Sequence, residues 1–387
     1  MMIGVISAIL GVLIVLPRVA YRTWKTQLVL NEMPWLAGIL GIVAILRGRG
    51  RVWGWLGLGM SLVPYTRLRW AQKNMDAMMV DALGDDYESY IPDVAKKRMT
   101  QTRWSLKNTL GAAYYRNYPV RIMRDVVYVQ RPTRPLKLDI FLPQVPPVIG
   151  DRYPAIIVLH GGGWYRGDKT EHFERHNLHL AAQGYVVFDA QYRFFSVDAA
   201  PWDAPLQDVR EVIRWVKAKA DEYQVDTTKI ALYGRSAGGQ LALRAAYGAC
   251  GDFIDTSVQA VVTAYAPTDL RLTGYEPDFR VCGLLGGQSW EVPETYADAS
   301  PIEFVRDDLP PTLMMHGGAD SLASYVHAEL MLNKLRQTNT PCVVLRVPWG
   351  RHGFDAVLPG TGYQLTQYYV DRFLAWCMYH GQTDNPT

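Results

Sequence analysis

The sequence predicts an α/β fold, a mostly parallel eight-stranded sheet flanked by helices, preceded by an all-α hydrophobic N-terminal region. Three observations carry this. From Asp125 onward short apolar runs alternate with helical periods, the pattern of a parallel sheet wrapped by helices. Before Thr66 the chain is instead apolar in three uncharged stretches, Met1–Leu16, Trp35–Leu46 and Val52–Tyr65. The composition, 49% hydrophobic and 20% charged over 387 residues, suits one large core and excludes a disordered, collagen-like or disulfide-stapled chain.

The first apolar run ends at Pro17-Arg18 and lacks both a basic leader and a small-x-small cleavage site, so it predicts an uncleaved anchor. Twelve helical residues rise about 18 Å, against a hydrocarbon core of about 30 Å, so the later runs could cross only by recruiting flanks or thinning the bilayer. Residues 1–65 are expected to form helices that associate with membrane lipid, or that join copies of the chain as a homo-oligomer. The plainer alternative is a set of buried helices in an N-terminal subdomain. Cations flank every run (Arg18, Arg22 and Lys25; Arg47, Arg49 and Arg51; Arg67, Arg69 and Lys73), so the positive-inside rule assigns no orientation. Residues 66–124 read as an amphipathic helix, with Leu68, Met75, Met78, Met79 and Leu83 set among charges, followed by a basic, aromatic connector or lid that includes Tyr114 and Tyr115.

Within 125–387, Val126–Gln130 and Leu136–Leu142 are expected to open the sheet as an antiparallel pair. Strands then follow at Ala155–Leu159, Tyr185–Asp189, Lys229–Tyr233, Ala260–Tyr265, Thr312–Met315 and Val343–Val347. Helical periods fit at Pro205–Asp221, Ala237–Tyr247, Tyr325–Gln337 and Tyr363–Tyr379. A net charge of +3, without a basic block, speaks against a nucleic-acid partner. Cys250, Cys282, Cys342 and Cys377 form no CxxC pair, so neither a metal nor a redox cofactor is expected.

Four loops at strand ends hold the chemistry. Gly234-Arg235-Ser236-Ala237-Gly238 lies between a strand and a helix, the context of a G-x-S-x-G elbow whose small residues permit a strained turn that exposes the Ser hydroxyl. His160-Gly161-Gly162-Gly163-Trp164 offers backbone N–H groups to an oxyanion and lacks the spacing of a dinucleotide fingerprint. Asp320 follows the Thr312–Met315 strand and His352 the Val343–Val347 strand. Ser is a weak nucleophile at neutral pH, so Ser236 requires His352 as base, and His352 requires Asp320 to fix its tautomer. Asp355 is a weaker candidate for the acid because it shares a loop with His352, and Asp208 and Asp269 read as structural. His172, His176 and His179 have metal-like spacing but fit an amphipathic surface helix better. Trp164, Tyr165, Tyr192 and Phe194, with Phe195 and Trp202, cluster on loops at the same end and are candidates to line a substrate pocket.

Together HGGGW, GRSAGG, Ala266-Pro267-Thr268-Asp269-Leu270, HGGAD and GRHGF resemble the hormone-sensitive-lipase-like and feruloyl-esterase-like carboxylesterases of the α/β-hydrolase superfamily, over about residues 125 to 380. The resemblance implies an α/β-hydrolase fold and a serine carboxylesterase that cleaves small to medium acyl esters through an acyl-enzyme. It implies that Gly162, Gly163 and Ala237 supply oxyanion N–H groups and that His160 shapes its loop. It does not extend to residues 1–65. Arg235 stands where many relatives carry an acidic residue, and the proline common after the acid is absent from Ser321–Ser324. The stretches between Tyr192 and Pro205 and between Asp269 and Ser300 are too short for a large cap. An arylformamidase or other amide hydrolase on the same residues is the alternative enzyme, and a catalytically silent, membrane-tethered binding protein is the alternative from another class.

Overall fold

The computed structural model describes residues 1–15, 24–48, 50–109, 118–198, 200–248, 255–272, 278–358 and 360–381; Tyr114, Tyr115 and Cys250 of the sequence reading lie outside them. Eight strands form one sheet: β1 (Val120–Gln130), β2 (Pro135–Pro143), β3 (Tyr153–Leu159), β4 (Val186–Ala190), β5 (Val225–Arg235), β6 (Ala260–Ala264), β7 (Thr312–Gly317) and β8 (Cys342–Val347). Their spatial order is β1-β2-β4-β3-β5-β6-β7-β8. The β1–β2 and β2–β4 pairs are antiparallel and the remaining pairs are parallel. This is the α/β-hydrolase fold. β1 starts earlier than its alternation suggests because the register shifts between Met123 and Val126, where Asp125 takes φ 56° and donates its N–H to Asp139 Oδ1 at 2.9 Å.

Successive side chains of a strand point to opposite faces, so each parallel strand feeds two cores. Ile157, Leu159, Phe188, Leu232, Met314 and Val344 meet the helices Ala204–Ala218, Ala237–Tyr247 and Val326–Leu335. Ile156, Val158, Val187, Tyr233, Leu313 and Leu345 meet the helices Glu174–Gln183 and Thr361–Tyr379. Both faces being covered, the parallel strands read as unbroken apolar runs.

The N-terminal region is helical: α1 (Met2–Val15), α2 (Trp24–Glu32), α3 (Trp35–Leu46), α4 (Arg51–Ser61) and α5 (Val63–Leu83). α1, α3 and α4 pack on one another through Gly4, Ser7 and Gly11, through Ala37, Gly41 and Ala44, and through Gly54 and Gly57. A Cβ on either Gly41 or Gly54 would lie 2.7 Å from the other's carbonyl oxygen, so the two backbones approach as only glycine permits. Among the described residues no single helix is long and apolar enough to cross a membrane; the one pair that suffices by length and composition, Lys25–Glu32 with Trp35–Leu46, is bent by 75°.

The amphipathic stripe of α5 is observed, and it faces inward. Leu68, Ala71, Met75, Met79 and Leu83 join the second core beside the C-terminal helix, where Tyr369 Oη donates to Asp76 Oδ1 at 2.9 Å. The connector is pinned along the same helix, with Thr100 N–H on Asp371 Oδ2 and Ser105 N–H on Gln364 Oε1, each at 2.9 Å.

Candidate active site

The elbow between β5 and its helix places Ser236 at φ 51° and ψ −120°, a conformation that an L-residue holds only under constraint. The constraint is visible on both sides. Ser236 N–H donates to Ala264 O at the end of β6, at 2.9 Å. A Cβ on Gly238 would lie 2.3 Å from Leu159 O, so the helix enters hard against the end of β3. The small residues of G-x-S-x-G therefore serve close packing as well as the turn.

Two further loops converge on the hydroxyl. His352 Nε2 lies 2.8 Å from Ser236 Oγ, and His352 Nδ1 lies 2.8 Å from Asp320 Oδ2. Asp320 Oδ1 accepts the N–H groups of Leu322 and Ala323 at 2.8 and 3.0 Å. Burial presses the Asp320 carboxyl upward, but the charge and hydrogen bond of His352, with His316 and the Leu322 N–H, outweigh it and hold the group below the ordinary carboxylate value. The His352 ring leans on Tyr265, with centroids 4.5 Å apart. Such an arrangement can pass a proton from Oγ to Nε2 while an anionic carboxylate steadies the imidazolium.

The glycine loop after β3 closes the other side. Gly162 has φ 130°, and a Cβ there would lie 1.9 Å from Arg166 O, so no other residue fits. The N–H groups of Gly162, Gly163 and Ala237 donate to no backbone carbonyl among the described residues. His160 is buried beneath the loop, stacked on Tyr192 at 4.4 Å, and its backbone carbonyl accepts Tyr192 Oη–H at 2.8 Å. Burial holds its ring below the ordinary imidazole value, which suits a neutral structural group.

The proposed pocket aromatics divide. Trp164, Tyr192 and Phe194 are core residues, with Trp164 Nε1 donating to Gln240 Oε1 at 2.9 Å, so they support the loop. Tyr165 is half-exposed, its ring 5.6 Å from Phe279 and 6.2 Å from Phe195. Sequence reasoning missed Phe279 and Arg280. The side chain of Arg280 reaches Gly163, where an added Cβ would meet its Cδ at 2.9 Å. Nothing local in the sequence marks a segment so far along the chain as a rim of this loop.

The histidines at 176 and 179 do not form a surface stripe. Both are buried, and His179 Nε2 lies 3.1 Å from Asp371 Oδ2. Among the described residues no group of three or more His, Cys, Asp or Glu could hold a metal ion.

Asp355 and Arg235 have a role that the sequence reading did not assign. Arg235 Nε donates to Asp355 Oδ2 at 2.7 Å, and Tyr265 Oη donates to Asp355 Oδ1 at 2.7 Å. The guanidinium lies over Phe173 at 3.7 Å and Tyr233 at 4.4 Å, all beneath the elbow. An Arg beside the nucleophile, between a buried strand and a helix of small residues, is a signal in itself, because a buried cation requires a carboxylate nearby.

Comparison with known proteins agrees with this fold. The BD-FAE family profile matches residues 138–335. A probable carboxylic ester hydrolase of Mycobacterium tuberculosis, LipM, is 28% identical over 381 residues, covering 91% of this chain and 86% of that protein. That share exceeds what the sheet and its helices make up, so the likeness reaches into the N-terminal helices. The esterase LipC of the same organism is 31% identical over 281 residues, 68% of this chain and 67% of that protein. Among solved structures, a thermophilic esterase from Thermogutta terrifontis with propionate bound is 28% identical with a TM-score of 0.55, covering 66% of this chain and 93% of that one.

Proposed function

This chain belongs to the BD-FAE family and is a carboxylic ester hydrolase of the hormone-sensitive-lipase and feruloyl-esterase type, and we propose that it works through an acyl-enzyme on Ser236. Ser236 Oγ attacks the acyl carbon as its proton passes to His352 Nε2. The N–H groups of Gly162, Gly163 and Ala237 receive the oxyanion, Asp320 holds the imidazolium, and His352 returns the proton to the departing alcohol. Water then attacks the acyl carbon by the same route and frees the acid. The observation that carries this reading is the pair of 2.8 Å contacts linking Oγ, imidazole and a buried carboxylate. Tyr165, Phe195 and Phe279, grouped beside Gly163, are the apolar rings available to a small or medium acyl group.

The same proposal places α1, α3 and α4 in the lipid of a membrane. Apart from Ile14, their interior is glycine, alanine and serine, and their exterior carries Ile6, Ile9, Ile39, Ile42, Leu46, Trp53 and Trp55. At 14, 12 and 11 residues the helices rise about 17 to 21 Å.

The test is kcat/KM on p-nitrophenyl esters of increasing acyl length, with Ser236→Ala beside the native chain in detergent. The expected result is a peak at short to medium chains that the substitution abolishes. Native turnover by Ser236→Ala would sink the assignment.

A further inference from the structure

Helix α2 interrupts the apolar N-terminus with polar residues that are nevertheless enclosed: Gln27, Asn31 and Glu32 are all buried. Glu32 reaches out of the N-terminal region into the catalytic fold. Its carboxyl group, pushed up to about 8 by burial, accepts the N–H of Gly362, and its backbone carbonyl accepts the Thr361 hydroxyl at 3.3 Å. Both partners lie in the first turn of the helix Thr361–Tyr379, whose N–H groups have no intrahelical acceptor. The fit is close, since a Cβ on Gly360 would lie 2.8 Å from Glu32 Cβ, and one on Gly362 would lie 2.9 Å from both Glu32 Oε1 and Phe354 Cδ2.

The segment between β8 and that helix carries His352. Gly350 O accepts Ala319 N–H at 3.0 Å, and further anchors hold the segment beyond its own turns. Asp355 ties it to Arg235 beneath the elbow, and Glu32 closes its far end at Gly362. Leu28, one turn earlier on α2, sits in the same core as Phe354, and a Cβ on Gly353 would meet Leu28 Cδ2 at 3.9 Å. A helix of the N-terminal region thus supports the residue next to the imidazole from below.

We propose that Glu32 is a positioning residue for His352: by capping the helix that follows, it fixes the loop that sets the distances from His352 to Ser236 and to Asp320. This rests on the reading of His352 as the base. Esterase turnover then depends on a residue that the resemblance to the catalytic domain does not cover.

The experiment uses the full chain in detergent micelles, with Glu32→Ala, Glu32→Asp and Glu32→Gln. Asp withdraws the carboxyl group by about 1.5 Å, and Gln keeps an acceptor in place. For Ala and Asp, kcat on p-nitrophenyl acetate is expected to fall about 10- to 100-fold with KM within about threefold, as a displaced catalytic group does. The acid limb of the kcat/KM–pH profile is expected to move, which a mere loss of stability would not cause. Gln is expected to stay within about threefold of the native chain. Folded Ala and Asp variants with native kcat and an unmoved acid limb would overturn the proposal, as would a folded Gln variant that falls as far as Ala. Should Ala fail to fold, Asp and Gln decide. Ser236→Ala is run alongside: its retained activity would condemn the reading of the site, whereas a dead Ser236→Ala beside native Glu32 variants would condemn this inference alone.

Discussion

In the sheet and the helices that cover it, Phe188, Phe373 and Tyr247 are fully enclosed, whereas in the N-terminal bundle Ala37 and Ala44 are enclosed and Ile9, Trp55 and Leu46 are 55, 60 and 79% exposed. The relation between side-chain size and burial is inverted between the two. In water, enclosing a large apolar side chain contributes about 1.5–3 kcal/mol, so a region that leaves them outside gains nothing from that term unless its solvent is apolar. Without such a term, helices associate by close backbone contact through small residues. The charges divide the same way. The sheet region encloses Arg235, Asp355, Asp189 and Asp371, each with a hydrogen-bond partner, while α1 and α3 hold no charged residue at all.

The largest effect that sharpens this contrast concerns the sheet alone. Asp320→Asn keeps the shape of the loop but favours the wrong His352 tautomer, and kcat is expected to fall about 10⁴-fold. Membrane partition and circular dichroism should stay native. A loss of less than about tenfold would mean that Asp320 does not orient His352.

How far the sequence was legible follows from the same contrast. Ser236, Asp320, His352 and the glycine loop each stand at the end of an apolar run, so strand pattern and motif together located them. The α5 stripe was equally local. What was hidden depends on pairs far apart in the chain: Glu32 with Gly362, Arg235 with Asp355, Arg280 beside Gly163. The burial of the loop aromatics was not legible, because an aromatic loop reads alike whether its rings are half-exposed, as Tyr165 is, or enclosed in the core, as Tyr192 is. His176 and His179 misled for a related reason, since a polar face on a helix reads as a wet face until buried partners such as Asp371 are known.

A smaller effect probes the bundle. Ile42 is 46% exposed on α3. Ile42→Asp puts a charge on the face assigned to lipid, at a cost of about 2.5–3.5 kcal/mol, or roughly 10²-fold in partition. Cosedimentation with vesicles of phosphatidylcholine and phosphatidylglycerol should fall accordingly, while kcat on p-nitrophenyl acetate stays native. Equal sedimentation of both proteins would break the comparison, because the exposed face would then not be in lipid.

The smallest effect tests how the sheet tolerates an enclosed charge. Asp189 is the penultimate residue of β4, where its Oδ2 accepts Thr170 N–H at 2.6 Å and Asn177 Nδ2–H at 2.7 Å, while Oδ1 is buried with no hydrogen-bond partner among the described residues. Burial pushes its carboxyl up to about 7 despite those two donors. A carboxyl whose folded value lies above its unfolded one, about 3.9, contributes stability fully below the unfolded value and loses it as pH rises through the folded one. Asp189 is therefore expected to weaken the fold progressively from about pH 4 to somewhat above pH 7. Asp189→Asn retains an acceptor for Thr170 and Asn177 and removes the titration, so the fall in stability between pH 5 and pH 8 should shrink by about 2–3 kcal/mol, a shift of a few degrees in Tm. The comparison between the two pH values isolates the ionisation, because any packing penalty of the new amide acts at both. An unchanged Tm difference would mean that Asp189 is already ionised at pH 5, with its charge offset inside the sheet by Arg235 and the two donors.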